Sequence, residues 1–264
     1  MGKIFAIANQ KGGVGKTTTC VNLAASLVAT RRRVLLIDLD PQGNATTGCG
    51  VDKHHLEHSI YDVLVGECNF AEAIHFSEHG GFQLLPANRD LTAAEVALLE
   101  LPNKEQRLVE ALAPVKDNYD FILIDCPPSL NMLTINALAA ADGVIIPMQC
   151  EYYALEGLTD LIGSIQQIAA VINPQLKIEG VLRTMYDARL SLMNDVSEQL
   201  KEHFPDELYD TIIPRNIRLA EAPSHGMPAL VYDKASKGAE AYLALATELT
   251  RRQRANKRAA GRSK

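Results

Sequence analysis

The sequence predicts an α/β fold with a doubly wound, mostly parallel β-sheet that carries helices on both faces. Three observations support this prediction. Short apolar runs of strand length alternate with longer helical patterns along the whole chain. Most of the runs are apolar throughout, as is typical of parallel strands covered on both faces. A glycine-rich turn lies between the first run and the first helix, which is the setting of phosphate-binding turns.

Six apolar runs are predicted to be strands. The first, KIFAIAN, is short and almost uncharged, and the others share its length and character. The predicted strands span residues 3–9, 33–38, 120–125, 143–148, 177–182 and 208–213.

Five helices are predicted around these strands. The first, Lys16 to Ala29, follows the glycine turn and has apolar residues at helical spacing. In the second, residues 91–100, Thr92 and Glu95 form a capping-box pattern that predicts the helix start. We interpret the apolar faces of all five as core packing. The remaining predicted helices span residues 155–172, 192–204 and 236–252.

Length and composition fit one large domain, since the chain has 264 residues and 47% hydrophobic content. We expect a single domain over residues 1–250 and a flexible basic tail over 251–264. The tail holds seven Lys and Arg residues and no acid, although the whole chain has a net charge of −6. Such a tail is either a solvated terminus or a contact for a polyanion, and charge alone does not decide between them.

Cysteine usage and hydropathy predict a reduced, cytoplasmic protein. The five cysteines are scattered and form no C-x-x-C pair, which argues against a zinc site or a disulfide framework. The amino terminus turns polar too early for a secretory signal. No run approaches the ~20 apolar residues that span a bilayer, so we expect no integral membrane contact.

The glycine turn, KGGVGKTTT, predicts a site for the triphosphate of ATP. Lys16 can bridge the β- and γ-phosphates, the Thr17 hydroxyl can bind Mg²⁺, and Thr18 can reach the α-phosphate. Glycines allow backbone N–H groups to approach phosphate oxygens, and the following helix adds its positive end. The usual pattern has Gly where this chain has Gln10, and it lacks a second lysine such as Lys11. The cradle itself comprises Gly12, Gly13, Val14 and Gly15.

Three acids at predicted strand ends complete the expected site. Asp125 ends one strand and is placed to hold Mg²⁺ through water. Asp38 and Asp40 end another, two residues apart, so strand alternation points them the same way. After Asp40 the chain turns, and its carboxylate can then face the γ-phosphate and orient an attacking water.

These motifs together resemble the ParA/Soj branch of the deviant Walker-A ATPases, which are P-loop NTPases and include MinD. The matching stretches are KGGVGKTT, DLDPQGNATTG and IDCPPS, followed by residues 213–228 and 232–248. The resemblance covers residues 2 to about 250. The phosphate loop alone would not separate this branch from its relatives, whereas the combination of stretches is specific to it.

The resemblance implies a role for the second lysine. In this family it crosses a dimer interface, so Lys11 would contact the ATP of the partner subunit in a homodimer that sandwiches two nucleotides. The resemblance further implies that Asp40 positions the hydrolytic water and that Pro214 and Asn216 contact the adenine. Association would then depend on unhydrolysed ATP.

The resemblance also implies partners and a cellular task. ParA-like dimers bind DNA without sequence preference, and Arg189 and Arg218 match family positions that contact DNA. A ParB-like centromere-binding protein would stimulate a weak ATPase and release the dimer from the nucleoid, which drives chromosome or plasmid segregation. The start of the first strand at residue 3 favours the short, chromosomal form.

Three other functions are possible for a chain with this phosphate loop. A membrane-cycling ATPase like MinD needs a terminal amphipathic helix, but RRQRANKRAAGRSK has no Leu, Ile, Phe or Val to insert into lipid. An iron–sulfur carrier needs cysteines at a dimer seam, whereas Cys126 follows Asp125 and is interpreted as a core residue. A binding switch without turnover is the third.

Overall fold

The computed structural model describes residues 2–262 and has one seven-stranded sheet. The strand order is β3-β4-β2-β5-β1-β6-β7, and all neighbours are parallel except β3 and β4. This confirms the predicted fold class. The strands are β1 (Lys3–Ile7), β2 (Val34–Asp38), β3 (His75–Ser77), β4 (Phe82–Leu85), β5 (Phe121–Asp125), β6 (Gly143–Met148) and β7 (Lys177–Arg183).

Helices cover both faces of the sheet. The predicted helices at 16–29, 91–100, 155–172, 192–204 and 236–252 are confirmed, with bounds that differ by one residue at most, except that the last helix runs on to Arg262. The helices are α1 (Lys16–Ala29), α2 (Asn44–Gly48), α3 (Ile60–Val65), α4 (Phe70–Ala73), α5 (Leu91–Leu99), α6 (Arg107–Leu112), α7 (Met132–Ala140), α8 (Ala154–Ile172), α9 (Ser191–His203), α10 (Ile217–Glu221), α11 (Ala229–Tyr232) and α12 (Lys237–Arg262).

Two cores lie on opposite sides of the sheet, because successive strand residues face opposite ways. On one side, Ile37 and Ile124 pack under α3, α5, α7 and α8. On the other, Leu36 and Leu123 pack under α1 and α12. Both faces of the central strands are therefore apolar, which explains their uninterrupted hydrophobic sequences.

The prediction of a strand at 208–213 is wrong. This segment makes only isolated bridges, from Leu208 to Val181 of β7 and from Pro214 to Tyr186. Between these bridges, the N–H groups of Asp210 and Thr211 donate to the Glu248 carboxylate of α12, at 2.9 Å each. The Tyr209 and Ile213 N–H groups do donate to carbonyls of β7, so the Glu248 side chain interrupts the pairing with β7 at Asp210 and Thr211.

The capping box predicted at Thr92 and Glu95 is also wrong. Helix α5 begins at Leu91, and its cap residue Asp90 makes no side-chain capping bond. Thr92 already lies inside the first turn, and Glu95 accepts a hydrogen bond from Asn131 instead. Capping boxes of this kind do occur elsewhere, at the starts of α3 and α4.

The predicted tail differs from the structure, since α12 continues without a break from the domain to Arg262. Arg252 donates to the Leu208 carbonyl at 2.6 Å and lies 4.4 Å from the centre of the Tyr209 ring. Gln253 is buried and donates to Glu179. The first residues after 250 therefore belong to the packed domain, while 263 and 264 lie outside the described residues. Within residues 2–262, no helix combines the length and hydropathy needed to cross a membrane.

Candidate functional site

The glycine turn lies at the carboxyl edge of the sheet, between β1 and α1. Gly13 and Gly15 have φ values of 74° and 88°, in the left-handed region that favours glycine. A Cβ atom placed on Gly12 or Gly13 would meet no atom within 4 Å, so the outer side of the turn is open. Helix α1 begins immediately after it, at Lys16, and its first N–H groups lack partners within the helix. Open space, glycine backbone and a helix start together form a site suited to phosphate.

Lys16 is folded back over this turn. Its side chain is buried, and its ammonium group donates to the Lys11 carbonyl at 3.2 Å. Burial lowers the pKa of Lys16, while the nearby Asp125 carboxylate raises it in opposition. An anionic ligand in the turn would supply the counter-charge that this half-desolvated ammonium lacks.

Asp125 is the carboxylate best suited to hold a cation at this site. It is completely buried, and its Oδ1 accepts a weak bond from the Cys20 thiol at 3.5 Å. Its Oδ2 is buried and accepts no hydrogen bond from the described residues. Burial raises the pKa of this carboxyl, and the charge of neighbouring Asp38 raises it further. This carboxylate lies beside the Thr17 hydroxyl, and both groups offer the oxygen ligands that Mg²⁺ prefers.

Asp38 and Asp40 have different environments, although strand alternation predicted that their side chains face the same way. Asp38 is fully buried and accepts bonds from the Thr46 N–H and hydroxyl, at 2.8 and 2.7 Å, and from the Asp40 N–H at 3.1 Å. It therefore fixes the turn that carries Asp40. Asp40 is only half-buried, and its Oδ1 accepts from Gln42 at 2.9 Å. Thr46 was not predicted from the sequence, although it lies in the stretch DLDPQGNATTG.

Pro214 and Asn216 lie beside the glycine turn, and their contact with adenine stays a prediction. They line a cavity of about 200 Å³ together with Gly15, Thr18 and Met185. The Asn216 side chain also caps α10 by accepting a bond from the Arg218 N–H at 3.0 Å. A flat ring beside the phosphates would fit between the turn and this segment.

Thr184 is a site residue that the sequence analysis missed. It is buried at the end of β7, and its hydroxyl lies 2.8 Å from the Val14 carbonyl and 3.0 Å from the Met148 carbonyl. It therefore ties the phosphate turn to the two strands beside it. Its position just past the predicted strand 177–182 was the available signal.

Lys11 occupies the exposed rim of the site. Its ammonium forms an ion pair with Glu151, and its N–H donates to the Asn9 side chain at 2.9 Å. The two paired side chains line a second cavity, of about 350 Å³, with the exposed rings of Tyr152 and Tyr153. The side chain is held on the surface by a same-chain carboxylate.

The two arginines predicted to contact DNA are each paired with acids of the same chain. Arg189 makes two bonds to Asp187, at 2.6 and 2.9 Å. Arg218 lies 2.8 Å from Glu221 and 3.1 Å from Asp233. Their charges are therefore locally balanced.

Comparisons with known proteins found relatives of this chain over nearly its full length. A family model described as an AAA domain matches residues 2–178. The chain is 53% identical to the sporulation initiation inhibitor protein Soj of Bacillus subtilis, over 94% of this chain and 98% of that one. It is 51% identical to the chromosome partitioning protein ParA of Myxococcus xanthus, over 96% of this chain and 89% of that one.

A solved structure shares the fold over almost the full length. It is the cobyrinic acid a,c-diamide synthase of Mycobacterium smegmatis with bound ADP and magnesium. The TM-score is 0.85 at 39% identity, and the match covers 97% of each chain. The same protein, at 38% identity, also has a structure with a bound ATP analogue and magnesium. Its name describes another reaction, so the likeness shows the shared fold.

Proposed function

The chain belongs to the ParA/Soj family of chromosome-partitioning ATPases, and on that premise we propose that it is an ATP-driven switch that dimerises, binds DNA and partitions chromosomes or plasmids. The observation that carries the proposal is the conjunction at one sheet edge of an open glycine turn, a buried lysine and an orphaned carboxylate oxygen. Mg·ATP can bind to all three: its phosphates suit the turn and the lysine, and its cation suits the carboxylate.

Binding of ATP is assigned to the turn and its neighbours. The N–H groups of the turn and Lys16 bind the β- and γ-phosphates, and Thr18 binds the α-phosphate. Pro214 and Asn216 hold the adenine in the adjoining cavity. Solved relatives with ADP or an ATP analogue and magnesium support this assignment.

Hydrolysis is assigned to Asp40, with Thr17 and Asp125 as the residues that would hold Mg²⁺. The cation, when bound, neutralises charge on the triphosphate. Asp40 orients the water that attacks the γ-phosphorus, and its turn is fixed for that purpose by the bonds between Asp38 and Thr46. A half-buried carboxylate with one oxygen left over can accept a hydrogen bond from water.

Thr184→Val tests whether the tie between β7 and the phosphate turn matters for nucleotide binding. The valine keeps the shape but leaves the buried Val14 carbonyl without the hydroxyl donor, whereas the Met148 carbonyl still accepts from the N–H of residue 184. This costs about 1–3 kcal/mol of unfolding free energy. We expect a thermal midpoint lower by several degrees and a several-fold weaker affinity for a fluorescent ATP analogue. Thr159→Val removes an exposed helical hydroxyl bonded to the Leu155 carbonyl and is the control. Equal ATP affinity in the two variants would contradict the positioning role.

Dimerisation is assigned to Lys11. In the single chain Lys11 is paired with Glu151, and both side chains are largely exposed. An exposed pair of this kind contributes about 0–1 kcal/mol, so Lys11 can leave it at little cost. A triphosphate on a facing partner subunit offers more negative charge than one carboxylate. ATP therefore draws Lys11 across the interface, and loss of the γ-phosphate weakens that attraction.

DNA binding and stimulation by a ParB-like partner complete the proposal, which places the protein in the cytoplasm and on the nucleoid. The partitioning relatives support this task. MinD-like membrane cycling is the alternative, and it would require an apolar face at the end of α12. The sequence there has only Ala besides polar and charged residues and one Gly after Thr250, which favours DNA over lipid.

The decisive experiment measures association, DNA binding and turnover together. We expect dimers by size-exclusion chromatography with ATP and monomers with ADP. DNA of random sequence should bind the ATP form, and its affinity should fall steeply as the salt concentration rises. ATP turnover should remain slow. Liposomes of anionic lipid serve as the comparison surface. Equal DNA binding with ATP and ADP would contradict the switch, and ATP-dependent sedimentation with liposomes alone would favour the MinD-like alternative.

A further inference from the structure

We infer that Asn9 is a positioning residue that sets the direction of Lys11 for its contact with the partner subunit. The inference rests on the proposed role of Lys11 in dimerisation and assigns a residue on which that role depends. Asn9 lies two residues beyond the end of β1 and two residues before Lys11. It therefore connects the sheet to the lysine.

The Asn9 side chain takes the place of a hydrogen bond in the sheet. On the β6 side of β1, the Ala8 N–H donates to the Ile145 carbonyl at 3.1 Å. In a parallel ladder the next bond would reach the carbonyl two residues further along β6, that of the buried Pro147. The chain leaves the sheet before this point, and Asn9 Nδ2 donates to the Pro147 carbonyl at 2.8 Å instead. The carboxamide is thus fixed to the sheet.

The same side chain holds the peptide of Lys11. While its Nδ2 faces β6, the Asn9 Oδ1 accepts a hydrogen bond from the Lys11 N–H at 2.9 Å. Asparagine commonly forms turns of this kind, in which its side chain imitates a backbone carbonyl. The donor and the acceptor of the carboxamide each have a partner, so the orientation of the group is determined.

The residues that follow Lys11 impose little direction on it. Gly12 and Gly13 come next, and a Cβ atom on either would meet no atom within 4 Å. Glycine adopts many backbone conformations, so this side of the turn leaves Lys11 free to reorient. The Lys11 carbonyl accepts from the Lys16 ammonium at 3.2 Å, but Lys16 is assigned to the phosphates once ATP is bound. Asn9 then holds the Lys11 backbone.

The Lys11 side chain can move while its backbone stays in place. The side chain is 58% exposed, and its ion pair with the exposed Glu151 contributes little to stability. Ordering a long lysine side chain across an interface costs conformational entropy. A backbone that is already fixed does not add to that cost when two chains associate. Loss of the Asn9 contact should therefore weaken the dimer more than it weakens nucleotide binding within one chain.

The test compares Asn9→Ala with Asn9→Ser in the full chain. Alanine removes both hydrogen bonds. The serine side chain is too short to reach the Pro147 carbonyl, but its hydroxyl can still accept from the Lys11 N–H, as serine does in similar turns. Dimer dissociation constants are measured by sedimentation with Mg²⁺ and a non-hydrolysable ATP analogue. A fluorescent ADP analogue reports nucleotide affinity within one chain.

We expect the dimer dissociation constant of Asn9→Ala to rise about tenfold, because one residue at the interface regains its backbone freedom. Affinity for ADP should change little, since Lys16 and the glycine turn remain. Asn9→Ser should lose as much thermal stability as Asn9→Ala and yet keep most of the dimer affinity. Asn69→Ala is the matched control, because Asn69 accepts from the Ala71 N–H, two residues further on, at 3.0 Å and caps α4. Its dimer constant should equal that of the wild type.

Normal dimer affinity in Asn9→Ala would overturn the inference. An equal loss of dimer affinity in Asn9→Ala and Asn9→Ser would also overturn it, because dimerisation would then follow the bond to β6 and not the contact with Lys11. Lys11→Ala is measured in parallel. If Lys11→Ala fails to dimerise while Asn9→Ala dimerises normally, the proposed function stands without this inference. Normal dimers in both variants would refute the two together.

Discussion

Lys11→Ala protein is expected to bind ATP as a monomer and to form no ATP-dependent dimer. The alanine leaves the phosphate turn and Lys16 in place, so nucleotide binding within one chain persists in part. The sandwich, however, would bring two triphosphates together without the cation that each receives from the partner subunit. Charge stabilisation of this kind is worth about 10²-fold or more in turnover, so hydrolysis should fall by at least that factor.

Size-exclusion chromatography with ATP and with ADP measures this effect directly. Glu151 loses its partner in the variant, but it is exposed, so stability should change by no more than about 0.5 kcal/mol. Lys201→Ala is the matched control, because Lys201 is an exposed lysine paired with Glu198 at 2.7 Å. ATP-dependent dimers of normal affinity in Lys11→Ala would refute the role of Lys11.

Asp40→Ala protein is expected to accumulate as an ATP-bound dimer. The alanine removes the carboxylate that orients water, while Lys11, Lys16 and the turn still bind the nucleotide. Loss of such a group lowers turnover by about 10²–10⁴-fold. The turn itself should persist, because Asp38 holds it through Thr46 and through the backbone N–H of residue 40.

Phosphate release in single-turnover reactions, read beside the dimer fraction, checks this prediction. Asp52→Ala is the control, because Asp52 also accepts a bond from the N–H two residues further on, at 2.9 Å, and lies outside the site. The control should turn over normally and cycle between monomer and dimer. Retained turnover in Asp40→Ala would assign the water to another group.

The two variants separate association from hydrolysis. Lys11→Ala should prevent the dimer, whereas Asp40→Ala should preserve it and prevent its release. DNA binding should follow the dimer, and so be weak in the first and persistent in the second. A DNA affinity that is equal in both variants would mean that DNA binding does not depend on dimerisation.

The parts of this protein that depend on local chemistry can be predicted from the order of its residues. Glycine spacing before Lys16 and a buried run ending at Asp125 located the phosphate turn and the orphaned carboxylate. Uninterrupted apolar runs identified the central strands, because a parallel strand covered on both faces needs no polar neighbour. The family resemblance, carried by the same stretches, is confirmed by relatives at about half identity over nearly the full chain.

Contacts between residues far apart in the sequence become visible in the folded chain. Glu248 accepts hydrogen bonds from the Asp210 and Thr211 N–H groups, in the segment predicted as a sixth strand. The Thr184 hydroxyl, at the end of β7, contacts the Val14 carbonyl of the phosphate turn. Hydrogen bonds of this kind join residues far apart in sequence. No local pattern encodes such contacts, since they are selected by the packing of the whole domain.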